Sequence, residues 1–514
     1  MFHCGVLLTS EKTYGRAACG LKMLYKCVPD DATLPPLLIP YEEKQIGFHK
    51  VKYDHYITFQ IKHGTSTAST ASTGIMTNNF GGTNDTEAYI AYRMACADLN
   101  PTMKTLNAAT LRTLRETTLS PLPLYCNGVA IADRRSWPII SIDPAGCNDI
   151  DDALGLKVLS PEESILSIYI SNVPMMLEYL NLWPFLTDRI TTVYLPDKKI
   201  SMLPFALSEN VCSLYQKEDR IAFVLDITVQ HASAMQVPAM QVKKISFTSA
   251  LVRIEKNYAY DAAELLGRDD YKGMLAIVRK LNNESAVRYL PTIQNSHDLV
   301  EYCMLFMNRE CAKSLQGKKT GIFRSATRKT AITDYTHFVP ELQEMLQNVA
   351  GEYCSYENLK PHALIGCESY LHITSPIRRL VDIVNMLEIQ AALIPWSAAA
   401  QTFMGKWKTA ASLAQINRKT KAARKLQNEI EVLEAYQKNP ERIYMGVVFN
   451  KTTLDASLYK YSVYIPETKV LTTVKGPNVV GPNVVGTGTA TVYLSAHLFL
   501  DEAKMTKKIR LQFL

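Results

Sequence analysis

The sequence predicts an α+β chain in which a large central domain is flanked by small β-barrels. Short apolar alternations broken by Pro and Gly occupy both ends, while strand signals followed by helical periodicity fill the middle. A long amphipathic stretch precedes the last strands. At 514 residues the chain is too long for one core, so several domains are expected.

We read residues 1–122 as an N-terminal barrel region. "LYKCVPDD", "LPPLLIPY" and "HYITFQIK" are its strands, "TSTASTASTG" is a flexible loop, and helices follow over 86–98 and near 102–117. Residues 123–400 form the α+β unit, with strands in "SWPIISI", "ILSIYISNV" and "RIAFVLDITV" and helical periodicity from about 296 onward. Residues 401–440 form a basic linking helix in which Ile416, Ala423, Leu426, Ile430 and Leu433 repeat on one face until Asn439 and Pro440 end it. Residues 441–514 supply the strands "IYMGVVFN", "SLYKYSVYIP" and "TATVYLS", read as a barrel of the OB type. The perfect tandem copy "GPNVVGPNVV" at 476–485 reads as a duplicated turn.

Composition narrows the class. Hydrophobic residues at 47% and charged residues at 20% describe a globular chain. The net charge is +7, and residues 401–425 hold seven Lys or Arg with no acid, which permits a polyanionic partner without requiring one. Eleven cysteines lie singly with no Cys-x-x-Cys pair, so a disulfide framework and a zinc ribbon are not indicated. No signal sequence or apolar span stands out, and we expect a cytoplasmic monomer with no membrane contact.

The stretch "SIDPAGCNDIDDALG", 141–155, sets Asp143, Asp149, Asp151 and Asp152 close together with no Lys or Arg between them. Ile139–Asp143 alternates as a strand, Pro144–Asn148 makes a turn, and Asp149–Asp151 alternates again, so the carboxylates come from both limbs of a loop and can converge. Converging like charges raise one another's pKa unless a cation is bound or a proton is shared. An exposed acidic turn is one reading. A calcium loop fails by spacing, because Ala145 and Cys147 stand at its third and fifth positions. Hard oxygen donors without His or Cys suit Mg²⁺, or Mn²⁺, for phosphate chemistry.

These residues closely resemble the signature of the RNB exoribonucleases, which include ribonucleases II and R and the catalytic exonuclease of the eukaryotic exosome. The resemblance continues through "TTVYLPDKKISMLPFALSENVCSLYQKEDRIAFVLDITV", 191–229, and "YLHITSPIRRLVDIVNML", 370–387, and covers about 140–395. By itself Tyr194 would pass for a half-buried core residue. Ser375 and Pro376 read as the N-cap and first position of a helix, with Ile377, Leu380, Val381, Val384 and Leu387 on its buried face. That places Arg378 and Arg379 in the first turn, where a cation opposes the helix dipole, so either Arg378 pairs with Asp382 or a bound anion resolves the conflict.

The resemblance implies a hydrolytic 3′ to 5′ exoribonuclease that degrades single-stranded RNA to nucleoside 5′-monophosphates. It implies that Asp143, Asp149 and Asp152 hold Mg²⁺, that Asp151 is the acid essential to chemistry, and that Arg378 clamps the phosphate. Tyr194 and Tyr260 match family tyrosines that stack on RNA, Glu301 matches a glutamate on the helix bordering the RNA path, and Arg379 is expected at the RNA. Three departures stand out. Asn172 in "YISNV" replaces an acid, "FRSATR" replaces an Arg-x-His continuation, and Asn385 and Met386 replace the usual His-Arg. With the compact length they suggest a divergent branch, such as those encoded by large DNA viruses, acting in a host cytoplasm. They also motivate the alternative of a catalytically inactive, RNB-like RNA-binding protein.

Overall fold

The structure is a computed structural model that describes residues 2–17, 20, 22–42, 52–62, 72–117, 122–231, 240–284, 288–327, 342, 351–467, 470–478, 490–501 and 506–514. The Thr/Ser/Ala tract up to residue 71 and the tandem copy from residue 479 onward lie outside them.

Five strands open the chain: β1 (His3–Leu7), β2 (Met23–Pro29), β3 (Leu37–Tyr41), β4 (His55–Lys62) and β5 (Thr73–Gly82). They close into a barrel in the order β1-β2-β3-β5-β4, which removes the exposed edges an open sheet would carry. Leu7, Tyr25, Cys27, Ile39, Ile57 and Phe59 fill it. Helix α1 (Thr86–Cys96) starts where the Asp85 side chain accepts the Glu87 N–H. It stops two residues before the predicted end, because Asp98 adopts a left-handed φ of +52° that turns the chain towards α2 (Lys104–Glu116).

The central sheet is built from β6 (Ala132–Asp133), β7 (Ile139–Asp143), β8 (Asp152–Ser160), β9 (Glu163–Ser171), β12 (Asp219–Gln230), β13 (Gln241–Arg253) and β14 (Lys256–Ala259). Between β9 and β12 come α3 (Val173–Tyr179) and a small hairpin of β10 (Val193–Tyr194) and β11 (Lys199–Ile200). The sheet order is β14-β7-β8-β9-β12-β13-β6, antiparallel except for β14 with β7 and β13 with β6. Strand periodicity separates its two faces. Ile140, Ile142, Leu154, Ile168, Ile170, Phe223 and Leu225 pack beneath α4 (Asp269–Glu284) and α5 (Ser296–Gly317), while Ile139, Ala153, Tyr169, Ala222 and Val224 pack on the other side.

A short hairpin of β15 (Ile322–Ser325) and β16 (Glu352–Ser355) precedes α6 (Leu380–Gln390), which is buried at every position. Ile383, Val384 and Leu387 join the core shared with α3 and α7 (Ala398–Trp407), and Met386 and Ile389 join the core under the sheet. A helix buried all round lies between two cores, and the polar side chains this one carries, Asp382, Asn385, Glu388 and Gln390, are hydrogen-bonded.

The linking helix predicted over 401–440 is broken at Lys408–Thr409: its start belongs to α7, and the Thr409 side chain caps a second helix, α8 (Ala410–Lys438). Ala423, Leu426, Ile430 and Leu433 pack with Val6, Tyr56 and Tyr89, and Tyr436 reaches the last barrel, so one helix ties both ends of the chain together. The basic side chains of the linking segment are not all free for a polyanion: Lys406 on α7 pairs with Asp188, Lys408 between the two helices with Glu388, and the buried Lys419 on α8 with Asp98. The final sheet joins β17 (Ile443–Thr453), β18 (Tyr459–Ile465), β19 (Val470–Gly476), β20 (Ala490–Asp501) and β21 (Thr506–Phe513) in the order β19-β18-β17-β20-β21. Its edge strands nearly meet, since a Cβ on Gly476 would lie 2.8 Å from the Phe513 ring. This is the α+β architecture with flanking barrel-like sheets that the sequence predicts.

Candidate active site

The acidic loop is held from its own backbone outward. β7 ends at Asp143, and Gly146 takes a left-handed φ of +82° in the turn that follows, a conformation that favours glycine. The second limb pairs as a strand only from Asp152 onward. Residues of the Cys-Ser-Leu tripeptide fix it instead. Ser213 Oγ accepts from the Ile150 N–H at 3.0 Å and donates to the Asn148 carbonyl at 2.8 Å, and the Leu214 N–H donates to the Ile150 carbonyl at 3.0 Å. These bonds explain why a motif sixty residues downstream accompanies the acids. Across the sheet, β14 pairs Ala259 with Asp143, and the Tyr260 N–H donates to the Asp143 carbonyl at 3.2 Å, setting that tyrosine beside the acid.

Four elements close around the loop to form a cavity of about 490 Å³. All four aspartates line it, as do Tyr194 from the β10–β11 hairpin, Tyr260, Glu301 from α5, and Arg378 from the turn before α6. Eight of the nine residues singled out in the sequence therefore share one pocket.

Arg379 is the ninth and faces elsewhere. Its guanidinium bonds Asp382 at 2.7 Å and 3.1 Å. The helix predicted to begin at Ser375 begins at Leu380, and Ser375–Arg379 forms a turn in which the Arg378 and Arg379 N–H groups both donate to the Ser375 carbonyl. The neighbouring segment draws this turn out of helical form: the Thr192 N–H donates to the Arg378 carbonyl and the Leu380 N–H to the Ile190 carbonyl. Arg378, expected either on Asp382 or on an anion, instead reaches Asp151, its Nε 3.2 Å from Oδ2.

Burial dominates the electrostatics. Asp151 is 3% exposed and accepts from the Ile377 N–H at 2.9 Å; burial pushes its carboxyl up to about 7 against the pull of Arg378. Burial lifts Asp143 to about 6, with Asp149 adding to the rise, and holds Asp152 well above the usual carboxylate range, with Asp143 and Asp151 adding to it. Asp149 bonds Lys199 Nζ at 2.8 Å and accepts from the Tyr194 hydroxyl at 3.4 Å. Burial works against the Lys199 charge, but its bonds to Asp149 and Glu209 outweigh that and raise its pKa.

Do these residues fit a divalent cation? The donors are the right kind, hard oxygens in a partly enclosed pocket. Asp143 Oδ2 is buried without a hydrogen-bond partner among the described residues, a cost that a cation would relieve. Among those residues, however, no group of three or more His, Cys, Asp or Glu stands ready as a metal cage. Lys199 and Arg378 now neutralise two of the acids.

Three contributors escaped the sequence reading. His297 lines the pocket and stacks on Tyr260 with ring centroids 3.7 Å apart and planes 10° from parallel. It stands four residues before Glu301, so helical spacing alone could have placed the two together. Lys199 and Glu209 lie inside the second motif block but carried no local signal. Asn172, Asn385, Met386 and residues 323–327 of "FRSATR" sit outside the pocket lining, and Arg328 lies outside the described residues. Asn172 caps α3 and bonds Gln390 at 2.9 Å, and Asn385 bonds the Ile322 N–H, the Ile322 carbonyl and the His372 carbonyl, leaving neither amide unsatisfied. Met386 is packed in the sheet core.

The family model described as "RNB domain" matches residues 131–283 and 273–395. The mouse exosome complex exonuclease RRP44 is 34% identical over 134 residues, a match that covers 26% of this chain and 13% of that protein. Mycoplasma genitalium RNase R, solved in complex with ribose-methylated single-stranded RNA, superposes with a TM-score of 0.69 at 14% identity, covering 100% of this chain and 90% of that one. Yeast Ssd1, a pseudonuclease, superposes with a TM-score of 0.62 at 15% identity over 92% of this chain and 65% of that one. At such identities the two superpositions speak to the fold alone. Among the described residues no helix is long and apolar enough to cross a membrane.

Proposed function

The chain belongs to the RNB domain family, and from that premise we propose that it is a 3′ to 5′ exoribonuclease that hydrolyses single-stranded RNA to nucleoside 5′-monophosphates with Mg²⁺. The observation that carries this reading is the convergence of the four aspartates with Arg378, Tyr194, Tyr260 and Glu301 on one cavity. The acids come from a single loop, but the other residues come from four further elements. A surface acidic turn would not gather them.

In this reading Asp143, Asp149 and Asp152 would hold the ion. When bound, the ion would supply charge neutralisation at the phosphate and an acidified water. Asp151, fixed by the Ile377 N–H and Arg378, would position the reacting groups from a carboxyl that burial keeps close to its ionisation point. Arg378 has its side chain 44% exposed, so it can turn from Asp151 to a phosphate oxygen and stabilise charge that develops there. Tyr194 at the mouth and Tyr260 deeper in would stack on terminal bases, a mode indifferent to base identity. Arg379 would act at one remove, by holding the turn that carries Arg378.

One observation favours a second reading, an RNA-binding protein without hydrolysis: the acid cluster has a lysine on Asp149 and no preformed cage. A single experiment separates the two. A 5′-labelled single-stranded RNA of mixed sequence is incubated with Mg²⁺, beside EDTA and the Asp151→Asn variant. The proposal expects shortening from the 3′ end to a small limit fragment, abolished in EDTA and in the variant while the variant still binds. An RNA that is bound tightly and left intact with both Mg²⁺ and Mn²⁺ selects the second reading.

A further inference from the structure

Lys199 stands behind the residues that line the acid pocket and has two acidic partners. Its Nζ lies 2.8 Å from Asp149 Oδ1 and 2.9 Å from Glu209 Oε1, with side-chain exposures of 23% for the lysine and 11% and 14% for the acids. Glu209 sits on the π-helical turn Ala206–Val211 and does not line the cavity. The ammonium therefore bridges one acid inside the pocket and one outside it.

That arrangement is more than neutralisation requires. A lysine serving only to balance Asp149 needs no second acid, whereas a lysine that must leave Asp149 needs a place to go. Glu209 is that place, already within bonding distance, so the ammonium can give up one partner without ever standing unpaired in a half-buried site. The move also has a mechanical link. In the β10–β11 hairpin Lys199 is the register partner of Tyr194, whose hydroxyl bonds the same aspartate. Freeing Asp149 from Lys199 therefore alters the anchoring of the ring at the pocket mouth.

We propose that Lys199 is a positioning residue that competes with the divalent cation for Asp149: bonded to both acids, it holds the cluster together in the cation-free protein, and it withdraws onto Glu209 when the ion takes Asp149. The inference rests on the assignment of Asp143, Asp149 and Asp152 as the ion's ligands. Glu209 then favours ion binding without touching the ion, because it receives the displaced charge. Loading of the ion and placement of Tyr194 become one event.

The test titrates Mg²⁺ calorimetrically into the RNA-free full chain, stripped with EDTA beforehand, for wild type, Lys199→Met, Lys199→Arg and Glu209→Gln. Thermal unfolding in EDTA runs alongside, to separate a folding defect from an affinity change. Removing a competing unit charge a few ångströms from the ligand predicts Mg²⁺ binding on the order of ten-fold tighter in Lys199→Met and near wild type in Lys199→Arg. Loss of the receiving acid predicts binding several-fold weaker in Glu209→Gln. A role confined to holding the fold together would not move affinity in opposite directions in the two variants. Equal affinities across the set, or weaker binding in Lys199→Met, overturn the competition while leaving the ligands in place. Absence of Mg²⁺ binding in the wild type overturns the ligand assignment itself, and the role of Lys199 with it.

Discussion

Replacing Asp382, which lies outside the pocket, should disable the site by releasing the turn that delivers Arg378. Asp382 is fully buried, and its Oδ2 accepts from the Ser375 N–H at 2.7 Å and from Arg379 Nη2 and Nε at 2.7 Å and 3.1 Å. Asp382→Ala strands the Ser375 N–H and a guanidinium whose side chain is only 25% exposed. Breaking a buried pair from one side costs about 3–5 kcal/mol, and the residual exposure of Arg379 with its contact to Thr374 puts the expectation at the lower end, about 3 kcal/mol. Asp382→Asn keeps an acceptor for the Ser375 N–H and should cost about 1–2 kcal/mol. Trp183, Trp396 and Trp407 lie in the core that α6 shares, so their fluorescence in urea reports the loss where it occurs. In activity, a turn displaced by about 1 Å predicts kcat lower by on the order of a hundred-fold, with KM for RNA changed far less. If Asp382→Ala unfolds within about 0.5 kcal/mol of wild type and keeps its kcat, Asp382 does not hold the turn and the account of Arg378 placement is wrong.

Mg²⁺ at about 100 times its Kd should stabilise the wild type by about 2.7 kcal/mol in thermal unfolding, and Asp143→Asn should lose most of that response; equal responses would remove Asp143 from the ligand set. Tyr260→Ala should weaken single-stranded RNA binding by about 1–3 kcal/mol and Tyr260→Phe should not, measured by fluorescence anisotropy in EDTA; equal losses would point to the hydroxyl rather than the ring. His362 is buried and its pKa is lowered from 6.5 to about 4, by burial first and Arg324 second. The unfolded chain therefore takes up that proton first, so stability is full above about pH 6.5 and falls by about 3 kcal/mol as pH drops towards 4. The raised Asp143 and Asp151 act in the opposite sense over the same range, so the contribution of His362 is read as the flattening of the acid limb in His362→Gln; an unchanged limb would refute it.

The strands and helices were legible because their signals are local. "HYITFQIK" alternates and is β4 to the residue, and the apolar stripe read over 410–437 is buried along one face of α8, Ile416 in the central core and Ala423, Leu426, Ile430 and Leu433 against the first barrel. The failures occurred where a distant segment competes with a local preference. Ser375-Pro376 is a sound helix start in isolation, yet the backbone of Ile190–Thr192 takes the hydrogen bonds of residues 378 and 380 and delays the helix to Leu380. No window centred on the arginines contains that information. The same cause reversed the pairing of Arg378 and Arg379, since Asp151 is 227 positions from Arg378 and invisible to helical spacing.

The site shows the same division between what is local and what is not. Acids six, eight and nine positions apart on one loop can be found by reading, but the charge that balances them cannot, because Lys199 and Arg378 arrive from other elements. This bears on how the departures from the family pattern are weighed. Asn172 and Asn385 are among the departures that raise the alternative of an inactive RNA-binding protein, but both amides are buried, fully bonded and outside the cavity, where each joins segments that an unpaired polar group would destabilise by about 1–3 kcal/mol. Substitutions of that kind maintain packing between α3, α6 and their neighbours and leave the acids where they were. If catalysis has been altered in this chain, the residue to examine is the lysine on Asp149. Removing it should reveal whether the four acids are a working site held closed or a site that has lost its ion.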